Sequence, residues 1–222
     1  MPLGIDTPHG LANVYLRPAR RPRAGLILGH GAAGGVTSGD LVAVTDVALS
    51  EEVSVALVEQ PYRVVGRRSP SPAHHLDAAW LAVAERLHDV ELSDLPLIVG
   101  GRSLGARVAC RTARATGAVG VSCLAFPLQP PRRAGVEPRP SRLDELDRVN
   151  IPTLVVQGER DPFGTPPAAP LRTVAQVPGT HSLRDLDAVA AAVRAWLPDV
   201  IARSADPQKS QVPRTRRPAG LD

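Results

Sequence analysis

The sequence predicts an α/β fold in which a mostly parallel sheet is flanked by helices. Five short apolar runs rich in Val, Ile and Leu recur along the 222 residues, and a loop containing Gly or Pro and then a segment of helical periodicity follow each run. Continuous apolar runs are typical of strands buried on both faces, and their alternation with helices is typical of a parallel sheet. The runs occupy residues 25–29, 53–58, 96–100, 119–126 and 153–158.

Two weaker segments add to this sheet. Residues 174–177 form one more short apolar run, and residues 12–16 near the start of the chain are predicted as an edge strand.

Three segments between the strands are predicted as helices. Residues 73–90 carry apolar side chains at spacings of three and four, which form one stripe. Residues 104–116 begin directly after a strand, with Arg107, Arg111 and Arg114 on a solvated side. Residues 185–195 form the last helix, whose apolar side chains can dock on the sheet.

The sequence predicts one domain, residues 1–202, followed by a tail. The tail, residues 203–222, mixes Pro, Ser, Gln and Arg without apolar periodicity and is predicted to be disordered. Residues 129–140 hold four prolines and are too short to fold as a lid, so we expect a site without a cap domain. Neither a signal peptide nor a membrane span is visible, and the expected location is cytoplasmic.

The positive charge does not predict a nucleic-acid-binding protein. The net charge is +4 and the pI is near 9.8, but 25 of the 26 basic residues are arginine, which suggests a bias of composition. The tail holds five basic residues against two acidic ones, so the body is nearly neutral. Aromatic residues make up only 3% of the chain and leave few platforms for stacking bases.

The two cysteines, Cys110 and Cys123, lie in apolar contexts without the spacing of metal ligands. We therefore expect no disulfide, no metal site, no cofactor and a reducing compartment.

The strongest chemical signal is a G-x-S-x-G pattern formed by Gly101, Ser103 and Gly105. It follows a predicted strand and precedes a predicted helix, which is the context that a nucleophilic serine on a sharp turn requires. Small residues on both sides accommodate the strained backbone. The helix N-terminus and the backbone N–H of Leu104 would stabilise a negative charge that develops beside Ser103.

A serine nucleophile needs a base and an acid that orients the base. Asp161 follows the predicted strand 153–158, and His181 lies just before the last helix. The order Ser, Asp, His is that of α/β-hydrolases. Glu159 is an alternative acid, but Pro162 after Asp161 and the place of Asp161 beyond the strand favour Asp161.

An oxyanion hole needs a second backbone donor. The glycine-rich loop 29–35 follows a predicted strand and can supply it from Ala32 or its neighbour Ala33. His30 in the same loop is interpreted as structural.

Several residues near the predicted site are candidates for binding substrate. Arg63, Arg67 and Arg68 follow Tyr62 after the strand 53–58, and together with Arg102 they could hold an anionic group. A solvated, arginine-rich loop is the competing interpretation for the arginine cluster.

Five stretches of the sequence carry a resemblance to known proteins: LGHGA at 28–32, QPYR at 60–63, GGRSLGARVA at 100–109, CLAFPL at 123–128 and QGERDPFG at 157–164. Together they resemble the compact α/β-hydrolases related to dienelactone hydrolase. They resemble more closely the bacterial proteins similar to a eukaryotic testis-expressed protein and to a subunit of a histone-acetyltransferase complex. The resemblance implies a serine-hydrolase fold without a lid and a triad of Ser103, Asp161 and His181. Ala106 and Ala33 stand where many relatives carry glycine, and both are small enough for an oxyanion hole.

The sequence thus predicts a serine hydrolase that cleaves a small ester, thioester or lactone through an acyl-enzyme. A non-catalytic binding or scaffold module on the same fold is the alternative, and acyl transfer or haloperoxidase-type chemistry could use the same triad. The expected partner is a small-molecule substrate, with no nucleic acid and no membrane, and either a monomer or a homodimer is compatible with the sequence.

Overall fold

The computed structural model describes residues 1–130, 137 and 139–205. The α/β class predicted from the alternation of strands and helices is confirmed. The elements follow the order β1 (Leu3–Thr7), β2 (Gly10–Arg17), β3 (Ala24–Gly29), α1 (Gly39–Ser50), β4 (Val53–Glu59), α2 (Pro61–Val64), α3 (Ala73–Asp89), β5 (Leu97–Arg102), α4 (Leu104–Thr112), β6 (Gly120–Leu124), α5 (Leu143–Asp147), β7 (Thr153–Gly158), β8 (Arg172–Val177) and α6 (Leu186–Ser204).

The strands form one eight-stranded sheet in the order β1-β2-β4-β3-β5-β6-β7-β8. From β4 to β8 all neighbours are parallel, whereas β2 pairs antiparallel with both β1 and β4. The prediction that residues 12–16 form an edge strand is wrong, because β1 pairs along the outer side of β2. β1 was missed because it has only five residues, of which Ile5 alone is buried.

Two hydrophobic cores lie on opposite faces of the sheet. Helices α3 and α4 cover one face, where Trp80 packs fully buried. Helices α1 and α6 cover the other. The parallel strands β3, β4, β6 and β7 are buried almost throughout, which accounts for their continuous apolar sequences.

Some predicted boundaries are wrong. The helix predicted over 104–116 ends at Thr112, and the following turns lead to Gly117, whose φ of +67° no helix accommodates. The strand predicted over 119–126 ends at Leu124, because the chain turns at Ala125 with a φ of +49°.

The last helix is longer than predicted and changes the domain boundary. α6 continues through Pro198 to Ser204, because Leu197, Val200 and Ile201 are buried against the sheet. The first residues of the predicted tail are therefore helical. The rest of the tail, residues 206–222, lies outside the described residues.

The region between β6 and β7 contains the proline-rich segment 129–140, which the sequence predicts to be too short for a lid. Its described part contains one regular element, the five-residue helix α5. Residues 131–136 and 138 of the proline-rich segment lie outside the described residues. No helix in the described ranges is long and apolar enough to cross a bilayer.

Candidate active site

Ser103 stands on a sharp turn between β5 and α4. Its backbone has φ 51° and ψ −103°, a conformation that is strained for a residue with a side chain. A Cβ added at Gly101 or Gly105 would overlap the carbonyl oxygen of Gly29. The two glycines of the motif are therefore required by the close approach of β3 to the turn.

Two backbone hydrogen bonds brace the turn. The N–H of Ser103 donates to the carbonyl of Leu124 at 2.8 Å, and the N–H of Gly105 donates to the carbonyl of His30 at 3.1 Å. The first bond ties the turn to β6, and the second ties the start of α4 to the loop after β3. Because both neighbours are anchored in the sheet, Ser103 is held in place.

The structure brings Ser103, His181 and Asp161 together. The Ser103 Oγ lies 3.0 Å from Nε2 of His181, and Nδ1 of His181 lies 2.8 Å from Oδ2 of Asp161. An ionised carboxylate only accepts, so Nδ1 carries the proton and Nε2 can accept from the serine hydroxyl. Asp161 follows β7 and His181 follows β8, so all three residues lie at the carboxyl ends of parallel strands, where α/β sheets place their sites.

The carboxylate of Asp161 is fully buried and fully hydrogen-bonded. Besides His181, Oδ2 accepts from the amide of Gln157 at 2.8 Å, and Oδ1 accepts from the N–H of Phe163 at 2.9 Å. The alternative acid, Glu159, is exposed at the protein surface. The geometry thus favours Asp161 as the group that orients His181.

The imidazole of His181 is also fixed by its surroundings. The ring of Phe163 packs edge-on against it, with 4.6 Å between the centroids. Arg102 donates to the main-chain carbonyl of His181 at 2.9 Å and forms an ion pair of 2.7 Å with the buried carboxylate of Asp40. Arg102 was predicted to bind substrate, but these internal partners occupy Nε and one terminal nitrogen of its guanidinium.

The loop after β3 carries the second predicted oxyanion donor. Ala32, Leu104 and Ser103 line the same cavity. In the described part of the chain, neither the N–H of Ala32 nor that of Leu104 donates to a protein acceptor. Both are thus available to an oxygen bound beside Ser103.

His30 and Tyr62 hold this loop in shape. His30 bonds through Nδ1 to the carbonyl of Gly31 at 2.8 Å, and its Nε2 accepts from the N–H of Gln60 at 3.2 Å. Burial lowers the pKa of His30, so the ring is neutral near pH 7. The structural interpretation of His30 agrees with these bonds. The hydroxyl of Tyr62 donates to the carbonyl of Ala32 at 3.2 Å, and burial raises its pKa to about 12.

The cavity beside Ser103 has a volume of about 300 Å³, and three arginines contribute to its wall. The sequence placed Arg107 on a solvated side of its helix, which is wrong, because Arg107 is half-buried in a two-bond ion pair with Glu145. Arg142 was missed altogether, since no local pattern links it to the motif. The lining residues are Ala32, Ala33, Arg102, Ser103, Leu104, Arg107, Pro127, Arg142, Phe163 and His181.

The other substrate-binding candidates do not line this cavity. Tyr62 is buried behind the loop, and Arg63 bonds to the carbonyl of Arg67 at 3.4 Å. Arg67 and Arg68 are exposed outside the cavity wall.

Cys110 and Cys123 are free and buried, with 3.4 Å between their sulfurs. Within the described residues, no three His, Cys, Asp or Glu side chains are arranged so that they could hold a metal ion.

A model of the α/β hydrolase domain family matches residues 22–187, which is most of the chain. No curated protein sequence matches it.

Solved structures share the fold at low sequence identity. Est1E from Butyrivibrio proteoclasticus, with ferulic acid bound, is 18% identical and has a TM-score of 0.74, with 90% of this chain and 99% of that chain covered. XC6422 from Xanthomonas campestris, described as an α/β serine hydrolase without a lid, is 19% identical and has a TM-score of 0.70. The match covers 90% of this chain and 94% of that chain. Dienelactone hydrolase from Anabaena variabilis is 14% identical and has a TM-score of 0.68. The match covers 90% of this chain and 96% of that chain. The predicted resemblance to lidless hydrolases related to dienelactone hydrolase is thereby confirmed at the level of fold.

Proposed function

The chain belongs to the α/β hydrolase domain family, and we propose that it is a serine hydrolase that cleaves a small ester, thioester or lactone. The observation that carries this proposal is the continuous hydrogen-bonded line from Ser103 through His181 to Asp161, with bonds of 3.0 and 2.8 Å. A scaffold module would not need this alignment, so the geometry favours catalysis.

The first half of the reaction forms an acyl-enzyme. The Ser103 oxygen attacks the acyl carbon while its proton moves to Nε2 of His181. The carbonyl π electrons move to the oxygen, and the N–H groups of Leu104 and Ala32 stabilise the resulting oxyanion. As the intermediate collapses, the bond to the alcohol or thiol breaks, and the leaving group takes the proton from Nε2.

The second half releases the acid. His181 takes a proton from a water molecule, whose oxygen attacks the acyl carbon, and the proton then returns to the Ser103 oxygen as the ester bond breaks. Asp161 keeps the imidazole in the tautomer that both halves require and stabilises the imidazolium. Because the carboxylate is buried and accepts three hydrogen bonds, it performs this role without moving.

The size of the cavity supports a small substrate. Its volume of about 300 Å³ is at the lower end for small-molecule sites. No cap domain encloses it in the described part of the chain, which favours short or flexible acyl groups.

Labelling with a fluorophosphonate probe tests the proposal. We expect the wild-type protein and Ser50→Ala to be labelled and Ser103→Ala to remain unlabelled; Ser50 is exposed at the end of α1 and serves as the matched control. Ser103→Ala should also reduce ester turnover by about a thousandfold or more while the circular dichroism spectrum is unchanged. Labelling that persists in Ser103→Ala would contradict the assignment of the nucleophile.

A further inference from the structure

The wall of the cavity holds more positive charge than the carboxylates of the described residues neutralise. Arg102 is paired with Asp40, and Arg107 is paired with Glu145. Arg142 lines the same cavity but differs from both, because within the described residues its guanidinium forms no ion pair.

Glu145, the carboxylate that acts on Arg142, is already engaged. It binds Arg107 through both oxygens and also lies 3.5 Å from Arg111, which in turn binds Asp77. Arg107 and Arg111 thus occupy both carboxylates, and among the described residues the guanidinium of Arg142 has no carboxylate partner. The exposed Arg139 adds a further positive charge near Arg142.

Arg142 is held in position by backbone bonds. Its Nη1 donates to the carbonyl of Pro127 at 2.9 Å, and its own N–H donates to the carbonyl of Leu128 at 2.9 Å. No acceptor within the described ranges engages its remaining guanidinium N–H groups, which can therefore bind a ligand. The side chain is half-buried, so an anion bound to it would be less screened than on an open surface.

The electrostatic setting makes an anion favourable at this point. Burial, followed by the nearby Arg107 cation, lowers the pKa of Arg142 to about 10. The guanidinium remains charged at neutral pH, but its charged form is penalised. A bound anion would remove this penalty.

We propose that Arg142 binds a carboxylate on the substrate, so that the preferred substrate is a small ester or thioester with a free carboxylate. This inference rests on the proposed function and names its substrate class. The guanidinium of Arg142, which has no carboxylate partner among the described residues, matches an anionic group such as a carboxylate on the substrate. The planar fork of arginine also suits the geometry of a carboxylate.

The test compares two esters that differ in charge. Monoethyl glutarate carries a carboxylate and ethyl pentanoate does not, and acid release from both can be followed by pH-stat titration. The readout is the ratio of kcat/KM for the charged ester to that for the neutral one. We expect Arg142→Gln to lower this ratio at least about tenfold, and Arg142→Lys to lower it less. Arg148→Gln removes the same charge from an exposed position beside α5 and should leave the ratio unchanged.

The ratio separates binding of the substrate carboxylate from an effect on the oxyanion. A positive charge that acted only on the oxyanion would speed both esters equally, so equal losses in Arg142→Gln would overturn the proposal. An unchanged ratio in Arg142→Gln would overturn it as well. If Arg142→Gln does not fold, the test uses Arg142→Lys instead. A lowered ratio of kcat/KM values in this variant would support the proposal, and an unchanged ratio would contradict it.

A binding measurement separates this inference from the hydrolase proposal. Isothermal titration of monoethyl glutarate into Ser103→Ala should show binding that weakens at least about tenfold when Arg142→Gln is added. If the wild-type protein hydrolyses neither ester but this difference in binding is found, the carboxylate site stands and the proposed reaction fails. If both esters are hydrolysed and the binding difference is absent, the reaction stands and the carboxylate site fails.

Discussion

The side-chain amide of Gln157 donates a hydrogen bond of 2.8 Å to Oδ2 of Asp161, the same oxygen that accepts from His181. Gln157 is fully buried on β7, four residues before the carboxylate that it contacts. Its amide also lies within hydrogen-bond distance of the carbonyls of Phe126 and Gly164. Gln157 therefore connects the position of Asp161 to the chain segment after β6 and to the turn that follows Asp161.

Replacing Gln157 with leucine should impair catalysis more than substrate binding. Leucine has a similar volume but removes a donor to a buried carboxylate, and hydrogen bonds to charged groups contribute about 1.5–3 kcal/mol. We expect kcat to fall about tenfold or more with a smaller change in KM, measured with a short-chain ester. Gln176→Leu, an exposed change on β8, is the control. A kcat for Gln157→Leu equal to that of this control would show that the bond does not matter.

Replacing Arg102 with methionine tests whether its role is internal. The change leaves the buried Asp40 carboxylate without its partner, which should lower the free energy of unfolding by about 2–4 kcal/mol. It also removes the donor to the His181 carbonyl, so kcat should fall while KM for a neutral ester changes little. Urea unfolding and steady-state kinetics measure the two effects. Adding Asp40→Leu should recover stability without recovering kcat. A pure rise in KM would instead support the substrate-binding role expected from the sequence.

Stability should decrease in mild acid because of His30. In the unfolded chain a histidine titrates near pH 6.5, and burial lowers the pKa of His30 in the folded protein. Between these two values the unfolded state binds more protons, so the free energy of unfolding falls as the pH drops below about 6.5. It levels off below the folded pKa.

The variant His30→Gln should show a shallower decline than the wild-type protein, measured by urea unfolding at a series of pH values. It should also be less stable at pH 8, because the bonds to Gln60 and Gly31 are altered. His88→Gln changes an exposed histidine on α3 and provides the comparison. Identical pH slopes for the two variants would rule out His30 as the source.

The position of Ser103 was predictable because its requirements are local. The turn needs small residues two positions to each side, a strand before it and a helix after it, and all of these are visible within about ten residues. The structure adds the reason for the two glycines, which is the approach of the Gly29 carbonyl from β3. The choice between Asp161 and Glu159 depends on the fold, because both residues follow the same strand and differ in burial only in the folded chain.

The roles of the arginines could not be predicted in the same way. Arg107, Arg111 and Arg114 all fall on one predicted helix, 104–116, and the sequence does not distinguish them. In the structure, Arg107 and Arg111 pair with Glu145 and Asp77, which lie more than 30 positions away along the chain. Arg142 lies in a segment without periodicity, and only the fold places it in the wall of the cavity.

The α/β class, the strand before each candidate site residue and the chain order Ser103, Asp161, His181 can be predicted from the sequence, because buried strands and sharp turns leave patterns within short segments. Which side chains share a cavity, and which charges are neutralised, became visible only in the folded chain. Those properties depend on distances between residues far apart in the chain, and the energy of a charge depends on its burial and on every neighbour within a few ångströms. Arg102 and Arg142 illustrate this, since both are arginines at the same cavity, yet one is bound to Asp40 and the other has no carboxylate partner among the described residues.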